Sequence, residues 1–143
     1  MSETWSGREA REVEAMVELM FVVARADGDF SPVERRRFLE TVESLSAGQL
    51  QSTDLLALIE QTERTIDEVG LEQHLTRVAK QFSDELACRL AYGLCAQMAM
   101  SDGNYQDVER QILNRIAVAL NISPEDDEEI VQSVRLSQRP PSE

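Results

Sequence analysis

Aromatic residues are scarce in this chain, 5% of 143 residues, so a core has to be built from aliphatic side chains and Met. Histidine occurs once, at His74. One imidazole signs no Ser–His–Asp or Cys–His set for nucleophilic catalysis, and on a polar helical stretch it reads as a surface residue. The only cysteines, Cys88 and Cys95, stand seven positions apart in one helical pattern. At ~1.5 Å rise per residue their α-carbons are ~10 Å apart, beyond disulfide reach. Both read as small buried apolar residues, and a Cys-based zinc site needs closer spacing and more ligands. The glycines are isolated, which excludes a phosphate-binding loop. No apolar run approaches the ~20 residues that span a bilayer, and Met1 to Arg8 lacks the apolar core of a signal peptide. The expectation is a cytoplasmic protein with no direct membrane insertion. Basic residues are few, 14 Lys and Arg against 27 Asp and Glu, for a formal net charge of −13. Such a charge repels nucleic acid and anionic lipid at long range. It favours cations, a basic protein partner, or plain solubility.

What the chain does have is a stretch that occurs twice. Ala26-Asp27-Gly28-Asp29-Phe30-Ser31-Pro32-Val33-Glu34-Arg35 is matched 75 residues later by Ser101-Asp102-Gly103-Asn104-Tyr105-Gln106-Asp107-Val108-Glu109-Arg110. Asp, Gly, Val, Glu and Arg coincide, and Phe30 meets Tyr105. The register extends outward: Leu19 falls on Leu94, Ala24 on Ala99, Leu45 on Leu120. A helical apolar pattern precedes and follows each copy, so the sequence reads as two related helix–turn–helix units facing each other in one domain.

Val13, Met16, Val17, Met20, Val23 and Ala24 keep the i, i+3, i+4, i+7 spacing of a buried helix face, with Glu12, Glu14, Glu18 and Arg25 on the other positions. Ser31, Pro32 and Glu34 sign a helix start with a capping box, and Val33, Phe38, Leu39, Val42 and Leu45 are its inward residues. Ser52-Thr53-Asp54 opens a helix over Leu55 to Arg64. Ile66 to Gly70 reads as a break before a weaker helix from about Leu71 to Phe82. Ser83-Asp84-Glu85 caps a helix with Leu86, Leu90, Ala91, Leu94, Cys95 and Met98 inward. The helix after the second turn turns Val108, Ile112, Ile116, Ala119 and Leu120 inward. Ser123-Pro124 opens the last one, whose first turn is crowded with acids where the helix dipole favours them. No segment sustains period-two alternation. The expected fold is all-α, a single compact domain of about seven helices with two pseudo-symmetric repeats. Its expected organisation is a flexible N-terminus over 1–8 in which Trp5 could dock, a helical domain over 9–136 and a disordered tail over 137–143. Within the domain, repeat 1 covers about 9–46, connecting helices 47–82, repeat 2 about 83–121 and a final helix 123–136.

Each turn sets one carboxylate at the end of a helix and another seven residues on, in the first turn of the next. Converging carboxylates repel, at ~4 Å by ~1 kcal/mol in water and ~4 kcal/mol near a protein surface. A bound cation offsets that cost, and hard oxygen donors suit Ca²⁺, Mg²⁺ or Mn²⁺. The first turn looks like the later half of an EF-hand loop, but the first two ligands would be Val23 and Arg25, or Met98 and Met100 in the second copy, which excludes an EF-hand. Turn chemistry and the capping box by themselves account for Asp27 and Glu34. In the second copy Gln106, a poor N-cap, replaces Ser31, yet Glu109 persists. Asp27, Glu34, Asp102 and Glu109 are therefore the candidate residues of a shared divalent-cation site. Asp29 is a weaker member, and Glu14 and Glu18 are at hand to complete it. Which of Ca²⁺, Mg²⁺, Mn²⁺ or Zn²⁺ it takes the sequence does not say. Arg35-Arg36-Arg37 reads as a solvated helix face paired with Glu a turn away.

Two Ala-rich helices that each end in Asp-Gly, followed seven residues on by Glu, resemble the tellurite-resistance TerB family. The matching residues are Val22 to Glu34 and, more loosely, Ala99 to Glu109, and with their flanking helices the likeness covers most of 9–136. It implies a pseudo-symmetric helical fold, an association with tellurite and general stress systems, and an acidic patch for divalent metal; the expectation of no enzymatic activity rests on the residues themselves, which supply no nucleophile set. Carried onto this chain, that patch is Asp27, Glu34, Asp102 and Glu109, with Asp29 adjacent. Asn104 in place of Asp29 and Gln106 in place of Ser31 depart from the pattern and make the second turn the weaker one. The competing expectation is a metal-free acidic scaffold that receives a basic protein partner.

Overall fold

Helix α1 (Ala10–Ala24) is the piece the others enclose. Its sequence is apolar nearly all the way round: Val13, Ala15, Met16, Val17, Leu19, Met20, Phe21, Val22 and Val23 are all buried. Such a helix has no face to give to water and must lie inside a layer of others. In the computed structural model it packs against α2 (Pro32–Leu45), α3 (Ser52–Val69), α4 (Leu71–Ala79), α5 (Glu85–Met100) and α6 (Asp107–Ala119), most extensively on α5. The last helix, α7 (Pro124–Ser137), lies on α5. The structure describes residues 10–26, 31–45, 52–82, 84–100 and 107–137. Among these there are seven helices and no strand, as the periodicity predicts. Trp5, the stretch 1–8 expected to be flexible, residues 138–143 of the expected tail and both Asp-Gly turns lie outside the described residues, whereas Ser137, expected in the tail, closes α7.

Several boundaries follow directly from local chemistry. Pro32 takes the first position of α2, where its missing N–H costs nothing. The Asp84 carboxylate accepts the Ala87 N–H at 2.8 Å, and the Ser123 hydroxyl accepts the Asp126 N–H at 3.1 Å, so both expected N-caps are in place. Helix α6 stops in a Schellman turn: Asn121 is left-handed at φ 62°, its N–H reaches the Val118 carbonyl, and the Ile122 N–H reaches back to the Ala117 carbonyl. Asn is one of the few side chains that tolerate that conformation. Gly70, at φ 89°, separates α3 from α4. The break is confined to that residue, since α3 runs unbroken to Val69 and the expected break at Ile66 does not occur.

Two inward assignments and one outward assignment are corrected. Val33 is 68% exposed and Leu86 58% exposed. Each sits in the first turn of its helix, and α2 packs chiefly on α1 and α3, so its start projects past the core. Glu12, assigned to the polar side, is buried at 5% exposure. The cysteines are free thiols. Cys95 is buried, and loss of water drives its thiol pKa far up. Cys88 is only half-buried; its pKa is raised by burial first, then by the charges of Asp84, Glu12 and Glu85. Phe21 and Phe38 tie α1 to α2 edge-to-face at 5.9 Å between centroids.

Candidate functional site

The two turns are approached by well-placed helix ends. Arg25 and Ala26 close the end of α1 through N–H bonds to the Phe21 and Val23 carbonyls, both 3.1 Å. Asp27 and Asp29 follow, and they lie outside the described residues. Helix α2 then starts with the Arg35 N–H on the Ser31 carbonyl at 2.8 Å. Glu34 therefore stands in its first turn, with its side chain outside the described part. In the second unit α5 ends at Met100, Asp102 lies outside the described residues, and Glu109 is half-buried in the first turn of α6.

One cleft, of about 380 Å³, joins the two units. Ala26, next to Asp27, and Val108, next to Glu109, both line it. Val22, Ile66, Leu71 and Ile112 give it apolar walls, and Arg25 and Arg115 line it as well. Neither arginine projects a bare charge: Arg25 lies 5.9 Å over the Phe21 ring, and Arg115 is ion-paired with Glu72. Among the described residues no group of three or more His, Cys, Asp or Glu side chains is gathered closely enough to hold a metal ion.

The polar group that the sequence concealed is on α4. His74 is not a surface residue; it is buried at 2% exposure, with Leu75 and Val78. Its Nε2 lies 3.5 Å from Glu18 Oε1 on α1 and makes no hydrogen bond. Burial, followed by the charge of Glu14, pushes Glu18 up to about 7. Burial, followed by the charge of Arg77, pushes His74 down. Both shifts come chiefly from desolvation, which disfavours whichever form is charged. The signal was present in the sequence: Leu71, His74, Leu75 and Val78 keep the same i, i+3, i+4, i+7 spacing that marks a buried face.

A different polar arrangement holds α7 to α5. Tyr92, fully buried, donates its O–H to Asp127 Oδ1 at 2.5 Å. Arg89 reaches Asp126 at 3.0 Å and Glu129 at 3.5 Å. The acidic first turn of α7 is thus neutralised in part from α5.

The model of the family described as tellurite resistance protein TerB matches residues 12–132. The chain belongs to the TerB family. The match takes in all of α2 to α6 and most of α1 and α7, so both turns of this TerB-family chain fall inside it. TerB is not a known enzyme family. No curated protein and no solved structure matches the chain. No helix among the described residues is long and apolar enough to cross a membrane.

Proposed function

We propose that this TerB-family protein is a non-enzymatic, cytoplasmic stress-response module of the tellurite-resistance kind that binds a divalent cation where its two acidic turns meet. The observation that carries the reading is the shared cleft: the residue before Asp27 and the residue before Glu109 line one cavity. The donor set fits a hard cation, since Asp27, Glu34, Asp102 and Glu109 offer only carboxylate oxygens, with Asp29 nearby. The C-terminal ends of α1 and α5 add negative dipole ends, and neither helix has a basic residue in its last turn.

A thermal melt with and without Ca²⁺, Mg²⁺, Mn²⁺ or Zn²⁺ tests it. A native-state ligand at a hundredfold excess over Kd adds ~2.7 kcal/mol. The gain is expected in the natural chain and is expected to be absent from the Asp27→Asn, Asp102→Asn double variant. An unmoved transition, or the same gain in the double variant, refutes the cation site. The control separates a site from general screening of so acidic a surface. One observation favours the alternative, a metal-free scaffold for a basic partner: Glu125, Glu128, Glu129 and Leu136 line an open groove of about 460 Å³ on α7. Binding of a basic peptide that survives the double substitution and is lost on Glu125→Gln, Glu128→Gln would support that reading.

A further inference from the structure

We propose that the trough between α6 and α7 binds a small zwitterion, a molecule with a carboxylate at one end and an ammonium group at the other. The trough exists because both helices pack on α5 and not extensively on each other. It holds about 310 Å³, at the lower end of the ~300–1,000 Å³ of small-molecule sites. Tyr92 of α5, fully buried, lines it. Arg110 and Asn114 line it from α6, and Arg135 from α7. Acidic residues outnumber basic ones 27 to 14 in this chain. Even so, among the described residues neither Arg110 nor Arg135 makes an ion pair or a side-chain hydrogen bond. Arg89 and Arg115, by contrast, are both ion-paired. Two uncommitted guanidinium groups on one cavity offer forks of donors that match a carboxylate.

Asp107, Asp127 and Glu128 line the same space. Asp127 is held in place by the Tyr92 hydroxyl at 2.5 Å and keeps acceptor capacity on its second oxygen. The mixture of signs selects the ligand. A simple anion meets three carboxylates, and a simple cation meets two guanidinium groups. A molecule that bears both charges satisfies each set. The charges are also spaced along the trough. Asp127 is in the first turn of α7 and Arg135 in its last, about 12 Å apart along the axis at ~1.5 Å per residue. Arginine side chain and ligand together have to cover that distance, so separated charges fit better than adjacent ones.

The full ¹⁵N-labelled chain is titrated by NMR with glycine, γ-aminobutyrate and ε-aminocaproate. An equimolar mixture of acetate and ethylammonium supplies the same two charges unlinked. The expected result is saturable amide shifts centred on α6 and α7, tighter for the two longer zwitterions than for glycine, and only weak, unsaturating shifts with the mixture. Arg110→Gln, Arg135→Gln and Glu128→Gln, all at exposed positions, should each weaken binding by about threefold to tenfold. Glu125→Gln, which lines the outer groove of α7 but not the trough, should leave it unchanged. So should Asp27→Asn, Asp102→Asn, which separates this site from the turns. Circular dichroism checks that each variant keeps its helices. Shifts no greater with the zwitterions than with the mixture overturn the proposal. So does full affinity in the Arg110→Gln, Arg135→Gln double variant.

Discussion

Glu18 in α1 and Gly93 in α5 fall at the same register of the repeated sequence pattern, 75 residues apart, and meet opposite surroundings. The first turns a carboxylate toward the buried imidazole of α4. The second presents bare backbone to α7, where a Cβ would stand 3.9 Å from Ile130 Cγ2. Phe21 and its counterpart Ala96 contrast in the same way: both are fully buried, one bulky and one minimal. Helix α1 fills the space between its neighbours with long side chains. Helix α5 buries Ala87, Ala91, Ala96 and Ala99, small residues that let backbones approach. At matching registers of the repeated pattern, the helices packed against α1 and α5 decide what each face must accommodate.

Removing bulk from the α1 side should have the largest effect. Phe21→Ala is expected to cost ~3–5 kcal/mol by urea denaturation, because it empties a packed site and ends the edge-to-face contact with Phe38. If the loss were under ~1 kcal/mol, the two helices would not differ as described. On the α5 side Tyr92→Phe strips the buried hydroxyl from Asp127 and should cost ~1.5–3 kcal/mol, the range for a hydrogen bond to a charged group.

Glu18→Gln should act in the opposite direction. A carboxyl raised from 4.5 to about 7 contributes stability that is complete below its unfolded pKa and lost as pH rises through the folded one. His74, shifted downward, contributes the other way: its share is present above its unfolded value and lost as pH falls. In metal-free buffer at pH 7.5 the Gln variant should therefore be more stable by about 1–2 kcal/mol, after allowance for solvent screening of a partly open group. The difference should shrink to nothing below about pH 4.5, as parallel denaturations across pH would show. The smallest change is at the counterpart position. Gly93→Ala meets only ordinary contact at Ile130 and should gain about 0.5–1 kcal/mol from helix propensity.

The helical class and most helix starts were legible because capping is written locally: Ser123 and Asp84 accept the N–H groups that their positions predict. Apolar spacing also marked one buried face on α1, though the helix is buried on nearly every side. It failed at helix ends, where Val33 and Leu86 keep the right period but extend past the packed layer. It failed at His74 for a different reason. A lone histidine among polar neighbours reads as exposed by type, although Leu71, Leu75 and Val78 place that ring on the buried face. Glu18 went with it, since its partner comes from a helix more than fifty residues away and no local pattern carries that pairing. Of the acidic turn residues, the pairing of Asp27 and Glu34 with Asp102 and Glu109 stays a proposal. The cleft between Ala26 and Val108 is the described feature that supports it.

The thiol of Cys95 gives the molecule a built-in clock. Sealed in α5 and kept from ionising, it is closed to an alkylating reagent until that helix leaves the core, so its labelling rate measures how often the whole bundle opens. Cys88, on the same helix but half-exposed, is expected to react while the bundle stays shut.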